Sequence, residues 1–188
     1  MKKLLLLLLL IAPTFAMAQL SIANPDTVCY QTPGSIYQVP AVGVGTTYTW
    51  TINAPGILTG GQGTNVIGVD WSAAGPGLIP NGVSVVATSP AGCQDSINLD
   101  VFILNILPTI VQIGPFCEND PCVTLTGIPA GGTFAGIGVV GNTFCPSVSG
   151  VGSFNIVYTV IVNGCTFTSN VMTVIVNPLP TLSPIEHN

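Results

Sequence analysis

Arginine is absent from this chain, and its only lysines are Lys2 and Lys3. The single histidine, His187, stands one residue from the C-terminus. Charged residues of both signs make up 5% of the sequence, too few for surface ion-pair networks or for a charged, self-repelling tail. Non-specific nucleic-acid binding depends on Lys and Arg neutralising phosphates. Bidentate clamps on phosphate or carboxylate groups need arginine. Nucleic acids and anionic membrane surfaces are therefore excluded as partners. A Ser-His-Asp arrangement would have to recruit His187 from the chain end, where ordering is weakest.

The two lysines head a run from Leu4 to Leu10 and Ile11, followed by Pro13 and the small-residue stretch Ala16-Met17-Ala18. This is the layout of a secretory signal peptide, residues 1–18, with the mature chain starting at Gln19. The apolar run is shorter than the roughly 20 residues a membrane-spanning helix requires. Later apolar runs are broken by Gly, Pro, Asn and Thr, so the chain is expected not to span a membrane. Removing the leader takes the formal charge from −5 to −7, carried by Asp26, Asp70, Asp95, Asp100, Glu118, Asp120 and Glu186. Without Lys or Arg, the mature chain offers trypsin-like proteases no site. Export to the extracellular space or outer cell surface is expected, with the periplasm as the alternative.

What is present is β-pattern. Tyr48, Trp50 and Ile52 alternate with threonines; Ile67, Val69 and Trp71 alternate with Gly68 and Asp70. Ile97, Leu99, Val101 and Ile103 form another period-two run, as do Phe154, Ile156, Tyr158 and Val160. Gly60-Gly61-Gln62-Gly63, Asn81-Gly82, Ala91-Gly92 and Asn163-Gly164 read as turns between strands. Asn105-Ile106-Leu107-Pro108-Thr109 recurs as Asn177-Pro178-Leu179-Pro180-Thr181, each time after a β-branched strand. A proline joint at that place ends a ladder and stiffens a link. The pattern predicts an all-β chain of two tandem immunoglobulin-like β-sandwiches, 19–106 and 107–178. Residues 179–188 are a linker or the truncated start of a further repeat.

Six cysteines, all after the leader, read as disulfides in an exported protein, and six allow fifteen pairings. Cys29 and Cys117 each lie shortly before the first strand of a unit. Cys93 and Cys165 each follow a glycine before the last strand. The expected pairs are Cys29 with Cys93, Cys117 with Cys165, and Cys122 with Cys145. A zinc site at Cys117 and Cys122 lacks histidine support.

The stretch from Tyr48-x-Trp50-x-Ile52 through Thr59-Gly60-Gly61-Gln62-Gly63-Thr64-Asn65-x-Ile67-x-Val69-x-Trp71 to Gly92-Cys93 resembles PKD-like domains of Bacteroidota-type exported surface proteins. Cys117-Glu118-Asn119-Asp120, Pro129-Ala130-Gly131-Gly132-Thr133-Phe134, Gly150-Val151-Gly152-Ser153-Phe154 and Asn163-Gly164-Cys165 resemble the immunoglobulin-like repeats that accompany them. Trp50-Thr51-Ile52 stands where PKD domains proper carry Trp-x-Phe-Gly-Asp-Gly. The resemblance implies a non-enzymatic stalk or adhesin-type module, with an unknown protein or glycan as partner and no cofactor. The alternative is a carbohydrate-binding adhesin unit using Tyr30, Tyr37, Tyr48 or loop aromatics, with a glycoside hydrolase a distant third.

Asp70 is expected to face water beside an inward Trp71, and Asp95 and Asp100 to be edge or solvent-facing acids. Glu118, Asn119 and Asp120 form the densest oxygen cluster, read as an Asx-type turn in preference to a calcium site. Trp50 and Trp71, in phase with core residues, are expected to be buried. No residue is assigned a catalytic, metal or cofactor role.

Overall fold

The structure is a computed structural model that describes residues 25–184 and 187. The predicted leader, 1–18, lies outside the described residues. The first half carries β1 (Asp26–Cys29), β2 (Ser35–Gln38), β3 (Thr47–Ile52), β4 (Ile57–Gly60), β5 (Val66–Asp70), β6 (Gly77–Thr88) and β7 (Gln94–Leu104). One sheet runs β1-β7-β6-β3 and the other β2-β5-β4. Period-two burial turns one face of each sheet inward. Val28, Tyr48, Trp50, Val83, Val85, Val101 and Ile103 of the first sheet meet Tyr37, Ile67 and Val69 of the second in a single buried cluster. Two antiparallel sheets closed face to face in this order have an immunoglobulin-like arrangement. β1 departs from the antiparallel rule, pairing parallel to β7 with Cys29 opposite Leu104.

The second half holds β8 (Thr109–Ile110), β9 (Phe116–Cys117), β10 (Val123–Thr124), β11 (Gly127–Ile128), β12 (Thr133–Gly136), β13 (Val139–Val140) and β14 (Thr143–Phe144). After the short helix α1 (Pro146–Ser149) come β15 (Gly152–Val162), β16 (Cys165–Thr168) and β17 (Met172–Asn177). The order β9-β17-β15-β12 repeats β1-β7-β6-β3, and β10-β14-β13 repeats β2-β5-β4. Here too the first strand of the larger sheet lies parallel to the last, with Cys117 opposite Asn177. Leu125, Phe144, Ile156, Met172, Val174 and Val176 form the second buried cluster. Among the described residues no sheet mixes strands of the two halves.

Local chemistry explains the joints. Asn163 and Gly164, at φ 49° and 80°, make the two-residue turn between β15 and β16, where both central residues need positive φ. Asn81-Gly82, by contrast, is not a turn between strands. It lies inside β6, where the register against β7 shifts between Ile79 and Val83. Asp100 explains the difference: its Oδ1 accepts a hydrogen bond from Asn81 N at 2.7 Å, satisfying a donor that the irregular ladder leaves over. Ile97 is exposed although it lies level with the buried Val85 and Trp50, because β1 pairs with β7 only from Val101 to Leu104 and leaves the Ile97 stretch at the outer edge of the sheet.

Close approaches set the core's tolerance. A Cβ added at Gly56 would strike the Trp71 ring and come within 2.7 Å of Ile52 Cγ2, whereas one at Gly75 meets nothing. Gly56→Ala is expected to lower unfolding free energy by about 1–3 kcal/mol through overpacking, and Gly75→Ala to leave it nearly unchanged. Urea denaturation of both variants checks this, and equal midpoints would contradict the packing described.

Candidate functional site

The sites that stand out are the two poles of the strand sets and the bond between them. Cys29 is joined to Cys165, and Cys122 to Cys145, the third of the pairs expected from sequence. Cys93 and Cys117 are free and exposed. The expected pairs Cys29–Cys93 and Cys117–Cys165 are thus corrected, and the parallel strands supply the reason. Cys29 lies at the C-terminal end of β7, while Cys93 immediately precedes that strand's N-terminal end. Ten residue steps at about 3.3 Å separate those ends by roughly 33 Å. A disulfide needs Cα atoms within about 7 Å. The second half repeats the problem. Cys165 pairs with Val162 at one end of β15, whereas Cys117 lies against β17 one step past Val176, which pairs with Gly152 at the other end. Cys29 and Cys165 lie with Cα atoms 5.4 Å apart.

One pole of the first half is formed by the β6–β7 hairpin and the loop from Val39 to Thr46. Gly92 N donates to Ser89 O, and Cys93 N to Ser89 Oγ, which closes the hairpin and leaves the Cys93 thiol outside. Tyr48 is buried beneath the loop and accepts a hydrogen bond from Val42 N through its hydroxyl. Beside it, Val39, Val42, Tyr48, Ala87 and Ile97 line an open, mostly apolar hollow of about 230 Å³. Val44 at the loop tip is 100% exposed.

The predicted site residues disperse. Asp70 faces away from the buried Trp71. Its Oδ1 accepts from Ser72 N at 2.7 Å, which holds the carboxyl below the usual carboxylate range. Asp95 accepts from its neighbour Ser96 N. Asp100 is 8% exposed, so the expectation of a solvent-facing acid is wrong; the bulge draws it inward as a hydrogen-bond acceptor. Asp120 N donates to Cys117 O, closing a β-turn, and Asp120 Oδ2 accepts from Cys117 N three residues back. The loop is thus a carboxylate-closed β-turn and not the expected Asx-type turn, whose side chain bonds the backbone two residues on. Glu118 Oε1 accepts from Leu179 N. Among the described residues, no group of three or more His, Cys, Asp or Glu is placed to hold a metal ion. His187 is exposed. Tyr37 and Tyr48 are buried, contrary to a sugar-stacking role, because both point inward from strands whose alternate residues build the core. Tyr30 is 37% exposed.

Two polar arrangements escaped the sequence reading. Gln62 Nε2 donates to Trp50 O while Trp50 N donates to Gln62 Oε1, at 3.0 and 2.9 Å, so a side chain stands in for a neighbouring strand along the free edge of β3. The Gly60–Gly63 run marks the loop but nothing in it signals this edge cover. The second is a chain of hydroxyl and indole groups. Trp71 Nε1 donates to Tyr37 Oη at 3.1 Å, and Tyr37 Oη donates to Asp26 Oδ2 at 2.8 Å.

Comparison with known proteins supports part of this picture. Residues 16–101 match a family model described as a PKD-like domain. PKD-like domains are typically non-enzymatic extracellular interaction modules. No curated protein matches the chain. One similar solved structure is titled "Protocadherin Gamma B2 extracellular cadherin domains 3-6", at 16% identity and a TM-score of 0.33. The match covers 80% of this chain and 44% of that one, so the chain spans less than half of its length.

Burial, and then the Asp26 carboxylate, raise the Tyr37 phenol above its ordinary 10.0. The folded protein keeps this proton where the unfolded chain releases it. The resulting stability is therefore complete below about pH 10 and declines as pH climbs beyond it. Tyr37→Phe also strands the buried Trp71 Nε1, a cost of about 1–3 kcal/mol. The variant is expected to be less stable at pH 8 and to lose less further stability between pH 8 and 10.5 than the parent, as read by urea midpoints. An alkaline loss unchanged by the substitution would contradict the assignment.

Proposed function

We propose that the protein is an exported, non-enzymatic module of two tandem immunoglobulin-like domains, 19–106 and 107–178, that acts as a stiff spacer or interaction repeat at the cell surface. The repeated strand order, with Cys29–Cys165 spanning the two halves, carries this reading. The PKD-like match over 16–101 and the leader-like start support it. Residues 179–188 are read as a linker or the start of a further repeat, and the setting as one like that of Bacteroidota-type surface proteins. A disulfide across the joint complements the proline-containing link Asn105–Thr109, since each removes freedom between flanking domains. The carbohydrate-binding alternative has less support, because two of the three tyrosines named for it, Tyr37 and Tyr48, are buried.

Expressed in a bacterial host, the protein is expected outside the cytoplasm with Gln19 at its N-terminus. Small-angle scattering of that product is expected to fit one rigid shape, and Cys29→Ser/Cys165→Ser to show a broadened distribution of dimensions. A cytoplasmic product retaining residues 1–18, or identical scattering from both proteins, would contradict the spacer reading.

A further inference from the structure

The Cys29–Cys165 bond has an unfilled counterpart at each end of the molecule. Cys29 is the parallel partner of the C-terminal end of β7, and Cys117 is the parallel partner of the C-terminal end of β17. Cys165 follows Gly164 in the hairpin turn after β15, and Cys93 follows Gly92 in the hairpin turn after β6. The strand orders are the same, so Cys117 occupies in the second half the place that Cys29 occupies in the first. Cys93 likewise occupies the place of Cys165. The bond within the chain therefore joins one end-of-strand cysteine to one hairpin cysteine. What remains is one hairpin cysteine and one end-of-strand cysteine, both free and exposed. Each lies about one strand length, roughly 33 Å, from its own half's member of the existing bond.

We propose that Cys117 of one copy and Cys93 of a second copy form a disulfide that repeats the Cys29–Cys165 junction between molecules and joins copies head to tail. This rests on the tandem-domain reading above. An unpaired cysteine in an exported protein points to intermolecular pairing. A contact between unlike surfaces extends into rings or open chains instead of stopping at a dimer. The surfaces around the two thiols suit such a contact. Val42, Val44 and Ile97 are exposed at the Cys93 pole, and Val151 and Leu179 at the Cys117 pole. Leu179 belongs to the second copy of the Asn-x-Leu-Pro-Thr joint, whose first copy links the halves already bonded. Asp95 stands near one thiol and Glu118 and Asp120 near the other, with no lysine or arginine in 19–188 to offset them. Joining is therefore expected to be faster at high salt.

The chemistry requires an oxidant of the disulfide class. The Cys117 thiolate attacks a sulfur of that disulfide and releases one thiolate. The Cys93 thiolate of the second copy then attacks Cys117 Sγ in the mixed disulfide and releases the other. Two thiols lose two protons and two electrons, and the oxidant gains them to become two thiols.

Unlabelled and 15N-labelled mature proteins, mixed and treated with oxidised glutathione, test the proposal after peptic digestion without reduction. A ladder of reducible oligomers is expected, with about half of the Cys93–Cys117 peptides carrying one label of each kind. A mixture of Cys93→Ser and Cys117→Ser proteins is expected to stop at the dimer. Cys93–Cys117 peptides of uniform label, a predominance of Cys93–Cys93 or Cys117–Cys117 links, or a monomer glutathionylated at both thiols would overturn it. The same digest reports Cys29–Cys165: its loss defeats the tandem reading, while its presence without intermolecular Cys93–Cys117 defeats this proposal alone.

Discussion

A short parallel pairing governs the molecule's plan. In each half the first strand of the larger sheet lies beside the last strand and runs with it, four residues long in β1 and two in β9. That choice carries the cysteine at the strand's end to the far pole from the cysteine in the hairpin. Strands of about eleven residues cannot bring such a pair together. A bond between the hairpin cysteine and the end-of-strand cysteine of the same half is thereby excluded, and Cys29 meets Cys165 of the other half instead. The Cys122–Cys145 bond is different in kind, closing a span of 23 residues inside one half.

The scarcity of charge has a structural complement. Among the described residues no buried side-chain nitrogen or oxygen lacks a hydrogen-bond partner. Neutral groups do most of this work. Gln62 covers the edge of β3, Asn65 Nδ2 donates to Val39 O, and Tyr158 Oη donates to Pro129 O while accepting from Gly132 N. Asp26 and Asp100 serve as acceptors for a hydroxyl and a backbone amide, with no cationic partner. A buried polar group is stabilised by a well-placed donor as well as by an ion pair, and at lower desolvation cost when the donor is neutral.

The strands and the buried tryptophans were legible in the sequence because a period of two fixes which residues face inward, and the runs around Trp50, Trp71, Ile156 and Val174 keep that period. Asn163-Gly164 was legible because few dipeptides accept two positive φ angles. Asn81-Gly82 carries the same signal and yet forms a bulge, since Asp100, nineteen residues on, supplies the acceptor that makes the irregularity tolerable. The cysteine pairing was hidden for a related reason. It depends on strand direction, and alternation is the same whether a strand runs parallel or antiparallel to its neighbour. The pole hollow around Ile97 was equally hidden, because alternation does not tell where an edge partner such as β1 stops along a long strand.

The account stands on Cys29 and Cys165 being joined across the two halves. Peptide mapping of the unreduced protein with an acid protease, needed because Lys2 and Lys3 are the only trypsin sites in the sequence, tests that bond directly. The account predicts a disulfide-linked peptide pair containing Cys29 and Cys165. Recovery instead of Cys29 with Cys93 and Cys117 with Cys165 would contradict it, and with it the proposed joining of two tandem domains.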